Sequence, residues 1–185
     1  LGAGGVAALY NWLLGIAHQG MTENFRMNRL LMWIQPENYS SGIGYQTVQG
    51  LYAIGSGGLF GKGLGKSLQK LGFIPESQND MIFSIICEEL GLFGAMCIIL
   101  VFALMLWRII HIAQNAPDLF GTMLAAGVFA HVAVQVVLNI AVVTNFIPNT
   151  GVSLPFISYG GTASFFLLLE MGIVLNISSK IRLER

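Results

Sequence analysis

Charge is what this chain has least of. Asp, Glu, Lys and Arg together make up 10% of its 185 residues, where a soluble domain carries about a quarter. That shortage excludes an ordinary water-soluble fold. With 55% hydrophobic residues and a mean hydropathy of +0.70, the composition predicts an integral membrane protein. Nine cations balance nine acids, so no bulk charge draws the chain toward nucleic acid. Cysteine is almost lacking. Cys87 and Cys97 share one apolar stretch and read as small buried hydrophobes, not as a disulfide or a metal site. No CxxC or HExxH spacing occurs, so no dedicated metal ligands are expected, and a divalent cation requirement is left open. An initiator Met and a signal-peptide pattern are also lacking. The first residues are already apolar and rich in glycine, so the chain is expected to begin inside or just before a helix.

What is abundant is apolar sequence in long runs. A bilayer-spanning helix needs about 20 mostly apolar residues. Four segments meet or approach that length: roughly 1–18, 82–110, 119–147 and 158–177. The expected fold is therefore an all-α polytopic membrane protein with four transmembrane helices and one large extracellular loop, 19–80. A short outer loop, 148–157, and a tail, 178–185, complete the division. The large loop is no low-complexity linker. It holds Trp33, Tyr39, Tyr45, Tyr52, Phe60 and Phe73, which suit an interface or a folded loop. Its stretch Tyr45 to Ile54 predicts a short helix at the interface, and the glycines that follow, at 55, 57, 58, 61, 63 and 65, predict tight turns and close backbone approach.

Lys and Arg in the short flanks set the orientation. The tail carries Lys180, Arg182 and Arg185, and the 111–118 connection is flanked by Arg108 and His111, whereas NFIPNTGVSLPF carries no charge. The tail and Arg108 are therefore expected in the cytoplasm, and the uncharged loop and the long connection outside. The long connection nevertheless carries Arg26, Arg29, Lys62, Lys66 and Lys70. An outer anionic ligand and contact with lipid headgroups account for these cations equally well.

Individual motifs point to an outer site. GLGKS fails as a nucleotide-binding loop, because position 60, where the first Gly is needed, is Phe. In GFIPESQNDMIF, Ser77 to Asp80 has the form of a capping box, with Ser77 as N-cap and Asp80 in the first helical turn. Asp80, Ser84 and Glu88 then recur at helical spacing on one stripe, and carboxylates so near hydrocarbon must face protein or water. The stripe predicts a wet groove between helices. His131, Gln135 and Asn139 form a second stripe, open to two readings: hydrogen bonds across the bundle or the lining of a cavity or proton path. Glu170 stands alone in the last apolar run. The loop TNFIPNTGVSLPFISYGG combines prolines and glycines at membrane depth, where irregular backbone must lie against protein or a water-filled cavity.

Three long stretches, GYQTVQGLYAIGSGGLFGKGLG (44–65), LGFIPESQNDMIFSIICEELGLFG (71–94) and IPNTGVSLPFISYGG (147–161), together resemble the SEDS family, the FtsW/RodA/SpoVE group of bacterial membrane proteins. They occur in the family's order and cover most of the chain. The four spans resemble the last four of a ten-helix fold. The resemblance implies a peptidoglycan glycosyltransferase that polymerises lipid II, an undecaprenyl-linked precursor, at the outer face of the bacterial cytoplasmic membrane, with a class B penicillin-binding protein as partner. It implies that Asp80 is the catalytic general base and that Glu76 is the companion acid of the Pro-Glu pair. Substrate contacts are expected from Arg29, Lys62, Lys66, Gln49, Ser56, Ser84 and Glu88. A carboxylate base suits removal of a proton from an attacking sugar hydroxyl, and cations suit a leaving pyrophosphate. Passage from an α-linked pyrophosphate to a β-linked polymer is inversion, for which one displacement and one base are sufficient. Asn79, Met81 and Gly50 stand where the family usually has Thr, Phe and Ser; these departures leave the acid in place and bear on its positioning. Without the preceding helices, the fragment on its own is expected to be inactive. Two other functions compete: a flippase that uses His131, Gln135, Asn139 and Glu170, and a non-catalytic division scaffold.

Overall fold

A computed structural model of the protein describes residues 11, 15, 25–34, 36, 43–67 and 79–181. Apart from residues 11 and 15, the expected first span falls outside them. Among the described residues five helices follow: α1 Phe25–Ile34, α2 Ile43–Gly57, α3 Ile82–Gln114, α4 Leu119–Val143 and α5 Gly161–Ser179. Among the described residues there is no strand. The long apolar runs become helices because a chain in hydrocarbon must satisfy its backbone N–H and C=O groups within itself. Three of the helices, α3, α4 and α5, are long and apolar enough to cross a membrane. The fold is thus an all-helical, polytopic membrane fold.

The side-chain distribution is that of a membrane bundle. Leu100, Val101, Leu104, Val137, Phe166 and Leu175 point outward and stay exposed, as lipid-facing residues should. Small and β-branched side chains face inward. On α4 the buried set is Gly121, Ala125, Val128, Val132, Val136, Asn139, Val142 and Val143, all but Val142 on a stripe at three- and four-residue spacing that lets helices approach closely. It meets Ala95, Phe102, Ile109 and Ala113 of α3 and Leu167, Val174 and Ile177 of α5 in one core. At the start of α4, Asp118 is a true N-cap: its carboxylate accepts from Gly121 N at 2.9 Å.

The start of α3 differs from the capping-box expectation. The helix begins at Ile82 after an N-cap at Met81 that makes no side-chain cap bond. Asp80 therefore sits in the turn before the helix, not in its first turn, and Ser77 lies outside the described residues. Nor is α3 continuous. It breaks at Gly91, whose φ of 68° and ψ of −167° no helix allows. The break frees Glu88 O and Glu89 O from their normal donors, Leu92 N and Phe93 N, and the glycine-rich loop bonds all four of these groups. Lys62 N donates to Glu88 O and Gly63 N to Glu89 O, both at 2.9 Å. In return Leu92 N donates to Gly58 O at 2.9 Å and Phe93 N to Leu59 O at 3.2 Å. The loop is stitched into the gap, which only glycine permits. A Cβ on Gly91 would stand 2.3 Å from Gly61 N, and one on Gly61 would stand 2.2 Å from Glu89 O.

Candidate functional site

Asp80 lies where three segments meet. Helix α2 reaches it first, because a row of small buried residues, Gly44, Thr47, Gly50, Ala53 and Gly57, lays the α2 backbone against α3. The fit leaves no slack: a Cβ on Gly57 would stand 1.9 Å from Cys87 O, and one on Gly50 would stand 3.4 Å from the end of Met81. From this helix Gln46 Nε2 donates to Asp80 Oδ1 at 3.1 Å. Helix α4 holds the same residue by its main chain. Asn139 Nδ2 donates to Asp80 O at 2.9 Å and to Val152 O at 2.7 Å, which ties the acid to α4 and to the α4–α5 connection together. The side chain and the backbone of Asp80 are thus anchored from different helices.

The expected wet stripe is not a groove in this chain. Ser84 and Glu88 are both 0% exposed, and their polar atoms are spent internally. Ser84 Oγ donates to Met81 O at 2.7 Å, closing the first turn of α3. Glu88 is the centre of a cluster from the glycine-rich loop and α2: Lys62 Nζ stands 2.6 Å from Oε1, Ser56 Oγ lies 3.4 Å from the same oxygen, and Ser67 Oγ donates to Oε2. Burying a carboxylate is costly without a cation and further hydrogen bonds, and this cluster supplies both. Lys62, Ser56 and Glu88, three sequence candidates for substrate contact, are brought together here and bonded to one another.

The remaining candidates are separate. Lys66 is exposed on the loop, and Gln49 is half-buried on α2. Arg29 is placed beside the α4–α5 connection, its Nη1 3.5 Å from Asn149 O. One turn later on α1, Trp33 Nε1 donates to Asn145 O at 3.0 Å, and Asn145 Nδ2 reaches back toward Trp33 O at 3.5 Å. Asn145 holds a left-handed φ of 57°, a conformation that Asn tolerates better than most residues. Glu76 and Lys70 lie outside the described residues. Among the described residues no cluster of His, Cys, Asp and Glu suits a metal ion.

Glu170, alone in the sequence, has a partner across the bundle. Its Oε2 stands 2.9 Å from His131 Nδ1, joining the middles of α4 and α5. Gln135, one turn from His131, keeps a buried Oε1 without a donor. A cavity of about 470 Å³ between α4 and α5 is lined by Asp118, Leu124, Gly172 and Lys180. It opens at the helix ends remote from Asp80 and has no part in that site.

Sequence reasoning missed Gln46. It lies three residues before Gln49 on the same helix, and only the pose of α2 on α3 distinguishes the glutamine that reaches Asp80. The second stripe did flag Asn139, as a hydrogen-bonding residue.

Comparison with known proteins gives a consistent set of relatives. Residues 5–183 match the model of the FtsW/RodA/SpoVE family, described as cell cycle protein. Stage V sporulation protein E of Bacillus subtilis (strain 168) is 46% identical over 166 residues, covering 90% of this chain and 45% of that protein. A probable peptidoglycan glycosyltransferase FtsW from Trichlorobacter lovleyi is 44% identical over 159 residues, covering 86% of this chain and 42% of the relative. The chain thus spans less than half the length of these two relatives. A solved structure described as structural coordination of polymerization and crosslinking by a peptidoglycan synthase complex superposes with a TM-score of 0.67 at 24% identity, over 97% of this chain and 49% of that one. A mutant of the rod shape determining protein RodA from Thermus thermophilus gives a TM-score of 0.55 at 23% identity, over 93% and 64% of the two chains. At these identities the superpositions speak for the fold alone.

Proposed function

This chain belongs to the FtsW/RodA/SpoVE family, and from that premise we propose that it is the part of a peptidoglycan glycosyltransferase that carries the general base. The observation that carries the reading is Asp80, a carboxylate held by Gln46 through its side chain and by Asn139 through its backbone. The substrate class is the lipid-linked disaccharide lipid II, extended as an undecaprenyl-linked glycan. Asp80 accepts the proton of an attacking sugar hydroxyl. The hydroxyl oxygen bonds to the anomeric carbon of the donor as the bond to the pyrophosphate oxygen breaks, and the lipid pyrophosphate departs with that electron pair. One displacement inverts the anomeric centre and needs no covalent intermediate.

Stabilising the departing pyrophosphate falls to Lys66 and Arg29, since Lys62 is paired with Glu88. Glu76 is the second acid of the reading. In this reading the Asp80 end faces outward and the Lys180 end faces the cytoplasm, which the cations of the short flanks support. A class B penicillin-binding protein is the proposed partner, in division, elongation or sporulation. The test is polymerisation of lipid II in detergent by the full-length protein with its partner. Asp80→Asn should abolish polymer while thermal unfolding and partner binding stay unchanged. Polymer made at the normal rate by that variant removes Asp80 from the mechanism.

One observation favours a second reading, flipping of the lipid-linked precursor: the His131–Glu170 pair at the middle of two membrane spans, where ionisable groups commonly mark a transport path. That reading requires His131→Leu to stop translocation in liposomes and Asp80→Asn to leave it intact.

A further inference from the structure

We infer that Gln46 is a positioning residue that fixes the direction in which Asp80 presents its carboxylate; the inference rests on the reading of Asp80 as general base. The amide Nε2 donates to Oδ1 at 3.1 Å across 34 residues of sequence. A donated N–H holds that carboxylate oxygen in one direction. Gln46 is also neutral. An Arg or Lys in its place would lower the basicity of Asp80 by adding a full charge, whereas an amide orients the oxygen with much less loss of basicity.

The geometry makes this contact more than a chance encounter, because neither partner is free to move away from the other. The pose of α2 is set by contacts that do not involve Asp80. Gly50 rests on Met81 and Ser84, Gly57 rests on the Cys87 carbonyl, and the loop that follows α2 is stitched into the Gly91 break. Asp80 is pinned independently by Asn139 through its carbonyl. With both backbones located by other means, the Gln46 amide acts on the direction of the Asp80 carboxyl group and not on the position of its backbone. Preorganised donors of this kind act at the transition state without reorganising during the reaction, so their removal is felt in kcat more than in KM.

The measurement is steady-state polymerisation of lipid II by the full-length protein with its partner, comparing Gln46→Met and Gln46→His with the parent. Met matches the length of Gln and lacks the donor; His restores a neutral N–H of similar reach. A hydrogen bond to a charged group contributes enough for its loss to lower the rate about 10- to 100-fold. Gln46→Met should show that fall in kcat with KM changed by no more than about twofold, and Gln46→His should recover most of it. If Gln46→Met melts early, Gln46→Leu, which is neutral and also lacks a donor, should show the same fall in kcat. Parental kcat in the donor-less variants overturns the inference, as does an equal loss in the His variant, which would make the effect one of packing. Asp80→Asn, measured alongside, separates the two levels. If it is inactive while Gln46→Met is normal, only the positioning role fails. If it is active, the general base itself fails.

Discussion

Lys62 meets Glu88 twice: its backbone N–H donates to the Glu88 carbonyl at 2.9 Å, and its ammonium stands 2.6 Å from the Glu88 carboxylate. One residue thus repairs both the broken helix and the buried charge. The Gly91 break exposes a carbonyl that needs a donor, and the loop residue that supplies it also brings its cation to the Glu88 carboxylate. Loop and helix are therefore one folding unit, and the pose of α2 over Asp80 depends on it.

The pair is buried on its acid side only: Glu88 is 0% exposed and the Lys62 side chain 32%, so losing Lys62 strands a carboxylate inside the protein. Removing one partner leaves an uncompensated charge and typically costs about 3–5 kcal/mol. Lys62→Met should therefore destabilise the full-length protein strongly in detergent unfolding, and Lys62→Met combined with Glu88→Met should recover a substantial part of the loss. Additive losses in the double variant would mean that the two groups do not interact.

Glycine at three positions is a steric requirement. Gly57→Ala and Gly91→Ala would drive a methyl into backbone at 1.9 Å and 2.3 Å, Gly91 with a positive φ besides. Both should fail to give a monodisperse protein by size-exclusion chromatography, and Gly61→Ala, with its 2.2 Å approach, should behave alike. Gly127→Ala on α4, where a Cβ meets nothing within 4 Å, should be purified normally.

His131 and Glu170 should be coupled modestly. Hydrogen bonds between membrane helices average about 0.6 kcal/mol, with about 1.7 as an upper value. A double-mutant cycle of His131→Leu and Glu170→Gln, read by unfolding, should return a coupling in that range. A coupling of zero would show that their 2.9 Å contact contributes nothing to holding α4 against α5.

Asn145 combines a left-handed backbone with a hydrogen bond to Trp33. A β-branched residue is strained there, at about 1–2 kcal/mol. Asn145→Val should lower the thermal midpoint, while Asn145→Gly should be much closer to the parent. An equal effect of the two would assign the role of Asn145 to its side chain and not to its backbone.

Much of the site was legible before any coordinates. The stretch around Asp80, the second stripe with Asn139 and the glycine-dense loop were all marked by residue type and spacing. Gln46 and the roles of Lys62 and Glu88 were not. Helical spacing places Asp80, Ser84 and Glu88 on one stripe, but it cannot tell whether that stripe faces water or the inside of the protein. Gly91 is equally silent: a lone glycine within an apolar run reads as a tolerated helical residue, and its break appears only when a loop arrives to satisfy the freed groups.

The sequence by itself determined that the chain crosses a membrane as helices. That outcome follows from length and hydropathy, because a helix closes most of its hydrogen bonds within a few residues. The tertiary structure alone decided which polar groups meet. Gln46 and Asp80, Lys62 and Glu88, and His131 and Glu170 are separated by 34, 26 and 39 residues. Each pairing depends on how closely two backbones approach, which is set by small residues acting together on different helices and not by any local pattern.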